Sequence, residues 1–381
     1  MPAGRVNDST GAPASQERGP LRVLHVDTER GWRGGERQVL WLAEGLARLG
    51  DASVIAARAG EPLAARAREA GLPVVELTPA FEADPRTAWR VRRAIREHRI
   101  DVVHAHAAHA VTIGALATLG MSVPLVVSRR VDFPLRKNAG TRWKYGRAAV
   151  VIAISEAVAS ILRRGDLMTS IDVVHDGTDM SRVPDPADVT SLASLGVAPG
   201  APLVVQVAQL VGHKDPISFV RAVARARELV PAIQALLVGD GPLRADVERE
   251  VRALGLGATV HVTGYRMDAD RLLASADVVV LSSREEGMGS VLLDALVFGK
   301  PVAATRAGGI PEVVRHEVTG LLAPIGDPRA LGDAIARLAM DTRLRARLGA
   351  AAQASAGAFS IDVMARRTRA IYERVLEERP R

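Results

Sequence analysis

The chain has 381 residues, of which 48% are hydrophobic, and a formal net charge of +7. It is too long for one ordinary domain and fits two, each with its own core. The absence of cysteine excludes disulfides and thiolate chemistry and fits a reducing compartment. No apolar run reaches the roughly 18 residues that span a bilayer. Residues 1–20 lack the apolar core of a signal peptide and are predicted to be a disordered tail, so we expect a cytoplasmic protein.

Basic residues are concentrated in two stretches, 89–99 and 128–147. Solvated helix faces are the ordinary explanation for such arginines. The alternative is an anionic partner, either a phosphate-bearing acceptor or an acidic membrane surface, which would hold the protein peripherally at the inner face of the membrane. Nucleic acid is not expected, because only three Tyr and five Phe are available for stacking on bases.

Short apolar runs alternate with helical patterns along the chain. In the first half the runs are LRVLHV, ASVIAA, LPVVEL, DVVHAH, PLVVS and AVVIAIS, and a helix from about Glu36 to Leu49 follows the first of them. The runs are continuously apolar, which is typical of parallel strands covered by helices on both faces. Residues 21–185 are therefore predicted to form one Rossmann-like domain.

The pattern lapses into Pro, Ser and Gly, and residues 186–200 are predicted to be a linker. It restarts with APLVVQVA and predicts a second Rossmann-like domain over 201–358, followed by a C-terminal helix within 359–381 that we expect to cross back to the first domain. The fold class is thus α/β, with two facing doubly wound domains. Ligands of such sheets bind at the carboxyl ends of the strands, here in the cleft between the domains.

The stretch SSREEGMGSVLLDALVFGKPVAATRAGGIPEVV, residues 282–314, places Glu286 in a loop and Asp294 in an apolar helix. Ser290 is predicted to cap the helix 291–298. Loop amides at a helix N-terminus favour phosphate. Asp294, one turn past Ser290, would face the same loop and could accept hydrogen bonds from sugar hydroxyls. Alternatively, Asp294 is a solvated helix residue and Glu286 a surface acid.

This stretch resembles the signature of family 4 glycosyltransferases, which are retaining enzymes with the two-domain GT-B fold. The segments HDGTDMSRV (175–183), VGDGPLR (238–244) and VTGYRMDADRLLASADVVVLSS (262–283) extend the resemblance to most of the chain. It implies a metal-independent transferase that moves a sugar from a nucleoside-diphosphate sugar to a hydroxyl of a saccharide or lipid-linked envelope acceptor, as in lipopolysaccharide biosynthesis. No cofactor is expected.

In this family a Glu, seven residues and a second Glu mark the nucleotide-sugar site. The first acid, which contacts the donor sugar, matches Glu286. The second, which contacts the ribose, is shortened here to Asp294. The resemblance implies a donor-binding set that also contains Gly34, Gly35, Gln209, Lys214, Gly287, Met288, Gly289 and Ser290.

Lys214 directly precedes a predicted helix, 215–229. A cation is disfavoured at a helix N-terminus, which favours a role in neutralising a departing diphosphate over that of a surface lysine. Family members commonly carry an Arg at the position of Gln209. Lys214 would therefore act with loop amides alone, or with an arginine from elsewhere such as Arg284 or Arg306.

Glycines also begin the first helix, in ERGWRGGERQVLWLAEGL. Bare backbone at Gly34 and Gly35 would admit a closely approaching group and present free amides, although a simple turn explains the pair equally well. The resemblance makes Gly35 a contact of the donor diphosphate from the facing domain.

Three histidines, His104, His106 and His109, end a strand in DVVHAHAAHA. A metal site is not expected, because no carboxylate or Cys lies nearby. We expect His104 and His106 to point to opposite faces, with His104 a satisfied core histidine. The resemblance places His106 beside the reacting sugar, so the predicted catalytic residues are His106, Lys214 and Glu286.

Two acids outside this set have structural explanations. Asp268, in MDADR, is expected to be a helix N-cap rather than a metal ligand. Glu312, in AGGIPEVV, either holds a turn or approaches the base.

The acceptor is predicted to dock on the first domain beside four basic side chains, Arg37, Arg129, Arg130 and Lys137. Two alternatives stay open at this point. One is an epimerase or hydrolase of nucleotide sugars on the same paired domains. The other is a non-catalytic module that binds a nucleotide sugar or nucleic acid.

Overall fold

The structure is a computed structural model that describes residues 19–165, 167 and 169–378. Apart from its last two residues, the predicted tail of residues 1–20 lies outside the described residues.

The first domain is built on a seven-stranded parallel sheet in the order β3-β2-β1-β4-β5-β6-β7. Its strands are β1 (Arg22–Val26), β2 (Ala52–Arg58), β3 (Val74–Leu77), β4 (Val102–Ala105), β5 (Leu125–Arg129), β6 (Ala148–Ala153) and β7 (Ser170–Val173). The helices between them are α1 (Gly34–Arg48), α2 (Pro62–Glu69), α3 (Pro85–Glu97), α4 (Ala108–Ala117), α5 (Ala139–Gly146) and α6 (Glu156–Arg164). Right-handed crossovers place α1 and α2 on one face of the sheet and α3 to α6 on the other.

A short helix, α7 (Val189–Ser194), leads to a six-stranded parallel sheet in the order β10-β9-β8-β11-β12-β13. The strands are β8 (Leu203–Val207), β9 (Gln234–Val238), β10 (Val260–Gly264), β11 (Val278–Leu281), β12 (Val302–Thr305) and β13 (Gly320–Ala323). The helices are α8 (Pro216–Leu229), α9 (Arg244–Ala253), α10 (Ala269–Ser275), α11 (Ser290–Val297), α12 (Ile310–Val313), α13 (Pro328–Met340) and α14 (Thr342–Ser355).

Burial on both faces explains the apolar strands of this second sheet. All four residues of β11 are buried, because β8 and β12 flank the strand and helices cover both faces. The same arrangement recurs in the first sheet. The predicted α/β class with two Rossmann-like domains is confirmed.

The last helix, α15 (Ile361–Glu377), packs against α1 of the first domain. Close approach requires Gly45, because a Cβ there would lie 2.7 Å from the Cβ of Ala365. At the far end of the helix, the Tyr372 hydroxyl is hydrogen-bonded to Nδ1 of His104, at 2.6 Å. Among the described helices, none has the length and apolar character needed to cross a membrane.

Candidate active site

The cleft between the domains contains two adjoining cavities at the carboxyl ends of the strands. One, of 540 Å³, is lined by Asp294, Arg37, Arg182 and Tyr265, and we call it the Asp294 cavity. The other, of 450 Å³, is lined by His106, Asp27, Arg130 and Phe133, and we call it the His106 cavity. The two cavities meet at a junction whose residues line both, namely Arg33, Gly34, Gln209, Lys214, Glu286, Gly289 and Ser290.

A lysine–glutamate pair lies at this junction. A 3-10 turn, Gly212–Lys214, brings Lys214 to the carboxyl end of β8, and Asp215, in the left-handed region, is the N-cap of α8. Nζ of Lys214 donates to Oε2 of Glu286, which also accepts from Oγ of Ser283 at 3.0 Å. The charge of each partner is therefore offset by the other.

The backbone of the loop that carries Glu286 is held by contacts from both domains. The Glu286 carbonyl accepts from the Gly309 amide at 2.9 Å, and the Gly287 carbonyl accepts from Oγ of Ser155 at 2.6 Å. A Cβ on Gly287 would lie 2.3 Å from the carbonyl oxygen of Arg130, so only glycine fits there. The loop therefore holds the two domains together.

Two helix N-termini face each other across the junction. Helix α11 begins at Ser290, with Gly289 at its N-cap, so Ser290 does not cap the helix through its side chain as predicted. A Cβ on Gly34, the first residue of α1, would lie 2.6 Å from Oγ of Ser290. The free amides and positive dipole ends of both helices thus converge on one place, which suits an anion.

Asp294 is buried, with 5% of its surface exposed, and is surrounded by cations. One carboxylate oxygen accepts from Nη2 of Arg37 at 2.8 Å, and the other lies 3.5 Å from Oγ1 of Thr178 and 4.0 Å from Nη1 of Arg182. Arg37 was expected on the acceptor side. It lies instead in the Asp294 cavity, because α1 points its first turn at α11.

Three buried histidines lie behind the His106 cavity. His104 and His106 do not point to opposite faces as predicted, because side chains two apart share a strand face, and their ring centroids are 4.0 Å apart. His25 joins them from β1, with its Nδ1 3.0 Å from Nε2 of His106. His104 is satisfied by Tyr372 and by Ser128.

The tautomers of this cluster follow from Arg130, whose guanidinium can only donate. Nη1 of Arg130 lies 3.2 Å from Nδ1 of His106, which must accept, so His106 carries its proton on Nε2 and donates it to His25. His25 in turn donates from Nε2 to Oγ of Ser53 at 3.2 Å. Burial lowers the pKa of His25 to about 3 and that of His106 well below its usual value, with Arg130 adding to both effects. The rings are therefore neutral at physiological pH.

One acid of the His106 cavity has an unusual ionisation. Burial raises the pKa of Asp27, which follows β1, from 3.8 to about 7. The amide of Glu29 opposes this shift by donating to Oδ1 at 2.8 Å, whereas the charge of Glu36 adds to it. Asp27 is therefore partly protonated at neutral pH.

The chain resembles known proteins along both domains. Residues 32–182 match the family model of Glycosyltransferase Family 4, and residues 190–355 match that of Glycosyl transferases group 1. The chain is 30% identical over 262 residues to the lipopolysaccharide core biosynthesis glycosyltransferase LpsD of Rhizobium meliloti (strain 1021), an alignment covering 69% of this chain and 71% of the relative. The chain belongs to the family 4 glycosyltransferases.

Two further comparisons extend this result. The glycosyltransferase is 31% identical over 266 residues to the 2-deoxystreptamine glucosyltransferase of Streptomyces kanamyceticus, covering 68% of each chain. The crystal structure of Anabaena HepE in complex with UDP-glucose superimposes with a TM-score of 0.80 at 24% identity, covering 93% of this chain and all of that one. At this identity the superposition shows a shared fold.

Most residues predicted for the site of this glycosyltransferase line the cleft. Beyond the junction residues, the His106 cavity is lined by six more of them, His106 itself, Gly35, Arg129, Arg130, Gly287 and Met288. Lys137 lines neither cavity and is exposed. Arg284 and Arg306, considered as substitutes for the arginine missing at Gln209, also line neither, and Arg284 pairs with Asp215 at 2.7 Å.

Two acids outside the cleft-lining set also have definite partners. Asp268 stands at the N-cap of α10 but does not cap it, because both of its oxygens accept from Arg266 at 2.8 Å. Glu312 does not approach a base. Its side chain caps a helix of the first domain, α6. Its oxygens accept from the amides of Glu156 and Ala157 at the start of α6, at 2.9 and 3.0 Å.

Sequence reasoning missed four residues of the site, His25, Arg33, Thr178 and Arg182. A histidine inside the apolar run LRVLHV was a usable signal, because a polar side chain in a buried strand needs a partner. Arg33 precedes the glycine pair and the first helix. Like Lys214, it is a cation at an unfavourable position before a helix, and this was a usable signal. Nothing in the sequence indicated that Thr178 and Arg182 approach Asp294.

Proposed function

We propose that this glycosyltransferase uses a nucleoside-diphosphate sugar as donor, retains the configuration of the transferred sugar, and needs no metal ion. The observation that carries the proposal is the junction of the two cavities. Lys214 and Arg33 approach it from opposite domains, and two helix N-termini open into it. A diphosphate is the ligand part that carries enough negative charge to match these groups.

The donor would extend from this junction into both cavities. Its ribose would lie in the Asp294 cavity, where the carboxylate of Asp294 can accept hydrogen bonds from two neighbouring hydroxyls. Its sugar would lie in the His106 cavity, with Glu286 as the acid at the boundary. When the diphosphate binds, Lys214 exchanges the carboxylate of Glu286 for a phosphate oxygen, which frees Glu286 to accept from the sugar.

Arg33 supplies the second cation of the site, which other family members carry as an Arg at the position of Gln209. Its side chain is exposed in the cleft, while its backbone amide donates to Glu36 at 2.7 Å. No ion pair of Arg33 occurs among the described residues. Its guanidinium is therefore available to a second phosphate group, and a divalent cation is not required to offset the charge of the leaving group.

The catalytic work would be electrostatic stabilisation and positioning. Lys214 and Arg33 stabilise the departing diphosphate, and the closed domains exclude water that would hydrolyse the donor. Both nitrogens of His106 are already hydrogen-bonded and its ring is neutral, so His106 shapes the sugar pocket rather than transferring a proton. A front-face route, in which the acceptor hydroxyl attacks from the side the diphosphate leaves, gives retention without a protein nucleophile.

The acceptor would enter the His106 cavity beside Arg129 and Arg130. The relative LpsD is named for lipopolysaccharide core biosynthesis. Together with the basic lining, this favours a saccharide or a lipid-linked envelope acceptor.

Product analysis tests this proposal. The protein is incubated with labelled UDP-, GDP- and ADP-sugars and saccharide acceptors, with and without EDTA, and the anomeric configuration of the product is read by NMR. We expect label in the acceptor, the configuration of the donor, and equal rates with EDTA. Label only in free or epimerised sugar would support the epimerase or hydrolase alternative. An inverted product would contradict retention, and loss of transfer in EDTA would contradict metal independence.

A further inference from the structure

Helix α3 exposes a basic face that the donor site does not use. Its apolar side is buried in the first domain through Val91, Ala94 and Ile95. Its outer side presents Arg86, Trp89, Arg90 and Arg93, and Trp89 is 62% exposed. The Arg93 guanidinium lies 6.0 Å from the centre of the Trp89 ring, so basic and aromatic side chains are interleaved on this side of the helix.

The loop before α3 extends this face towards α5. Phe81 is 61% exposed. Its neighbour Glu82 accepts from Nζ of Lys144, on α5, at 2.6 Å and from Oγ1 of Thr112, on α4, at 2.8 Å. These bonds fix the loop against the two helices, so Phe81 is held on the surface by a rigid support.

Helix α5 and the segment before it add a second set of basic and aromatic side chains. Trp143 is 42% exposed and stands beside Arg142, and Arg136 and Lys137 precede the helix. We call the whole surface the basic face and define it by Phe81, Arg86, Trp89, Arg90, Arg93, Arg136, Lys137, Arg142 and Trp143.

The basic face carries six cations and few opposing charges. Glu97 pairs with Arg93 at 2.6 Å, and Glu82 is neutralised by Lys144. A groove of 1370 Å³ separates α3 from β3 and is lined by Phe81, Trp89 and three of the arginines. The segment that carries Arg136 and Lys137 follows Val131 and Phe133, two residues that line the His106 cavity, by a few positions in the sequence.

We propose that the basic face binds the surface of a bilayer that contains anionic phospholipids. Arginines on the outward side of a helix attract lipid phosphates, and exposed Trp and Phe side chains enter the interfacial layer. Because the apolar side of α3 is already buried in the domain, the helix stays folded on the protein and only its aromatic tips insert. A bilayer bound here would lie next to the mouth of the His106 cavity.

The shape and charge of the basic face favour a bilayer over two other partners, a nucleic acid and a second copy of this chain. The arginines lie on the outer surfaces of helices, not along a channel that could follow a nucleic-acid strand. A second copy of this chain would bring six cations against six, so charge opposes self-association through this face. Lipid headgroups complement the charge, and the interfacial layer accommodates the aromatic rings.

Vesicle sedimentation tests the proposal without a nucleotide sugar, so its outcome does not depend on the donor or the reaction. The full-length protein is mixed at low salt with vesicles of phosphatidylcholine alone or with about 30% phosphatidylglycerol. We expect binding to the anionic vesicles only, and reversal by high salt. The triple variant Arg86→Gln, Arg90→Gln, Arg93→Gln should bind about tenfold or more weakly, and Trp89→Ser should bind more weakly than wild type.

A matched triple variant controls for net charge. This control removes the same charge from exposed positions of the second domain, by Arg252→Gln, Arg329→Gln and Arg343→Gln. It should leave vesicle binding unchanged. Equal binding to neutral vesicles, or equal losses in the two triple variants, would overturn the proposal. So would tighter binding of this face to an RNA oligonucleotide, or a dimer in sedimentation velocity that only the first triple variant dissociates.

Discussion

Nη2 of Arg37 lies 2.8 Å from a carboxylate oxygen of Asp294, and this ion pair joins α1 of the first domain to α11 of the second. It explains why an acid interrupts an otherwise apolar helix. The apolar residues of α11 pack into the second domain, while Asp294 faces the cleft and meets the guanidinium across it. The pair holds the carboxylate in place and also links the domains.

Removing Arg37 should destabilise the protein. The Asp294 side chain is only 6% exposed, and Arg37→Ala would leave it without its main partner, at a cost on the order of 3 kcal/mol in the free energy of unfolding. Arg48→Ala is the matched control on the same helix, because Arg48 pairs with Asp362 in solvent, with both side chains about half exposed. Arg48→Ala should lower the free energy of unfolding by less than about 1 kcal/mol. Equal losses in urea titrations would contradict a structural role for the Arg37–Asp294 pair.

The clamp at Gly287 can be tested by adding one methyl group. A Cβ there would lie 2.3 Å from the Arg130 carbonyl oxygen, so Gly287→Ala must push the two domains apart. We expect weaker donor binding and a lower transition temperature. Gly146→Ala is the control, because nothing lies within 4 Å of a Cβ at that helical position. If both variants behave like wild type in calorimetric titration with the donor, the clamp is not needed for donor binding.

Glu312 should make the association of the domains sensitive to acid. Burial raises the pKa of this carboxyl, but hydrogen bonds from His175 and from the amides of Glu156 and Ala157 outweigh it and hold the pKa below 4.5. A lowered folded-state pKa contributes stability that is present above the unfolded value and is lost as the pH falls through the folded value.

Wild-type protein should therefore lose more unfolding free energy between pH 5 and pH 3 than Glu312→Gln, which has no carboxyl to protonate at that position. Glu97→Gln, an exposed acid of α3, serves as control and should follow the wild-type curve. Parallel curves for wild type and Glu312→Gln would remove Glu312 from the interface argument.

The ionisation of Asp27 should change the stability of the protein with pH in the direction opposite to that of Glu312. Its folded pKa is raised from 3.8 to about 7, mainly by burial. The folded state then binds a proton more tightly than the unfolded state, so stability falls as the pH rises through this interval. Relative to wild type, Asp27→Asn should be more stable at pH 8 than at pH 5, as measured by urea unfolding. The same relative stability at both pH values would show that Asp27 ionises normally.

The sequence indicated the two domains and most of the cleft because each depends on local patterns. Continuous apolar strands predict a covered parallel sheet, and Lys214 stood out because a cation before a helix is unfavourable. Contacts between the domains could not be predicted in this way. The partners of Asp294 and Glu312 come from residues more than a hundred positions away, and their approach depends on how the domains are packed. The expectation that His104 and His106 point to opposite faces was wrong for a simpler reason. Side chains two positions apart on a strand point to the same face.

The most direct test of the central claim is a calorimetric titration of UDP, GDP and ADP into wild-type protein, Lys214→Ala and Lys137→Ala. The claim is that the junction of the two cavities holds a diphosphate. We expect wild type to bind one of these nucleotides, Lys137→Ala to bind it equally well, and Lys214→Ala to bind it about tenfold or more weakly. Unchanged affinity in Lys214→Ala, or no binding of any of the three by wild type, would contradict the account.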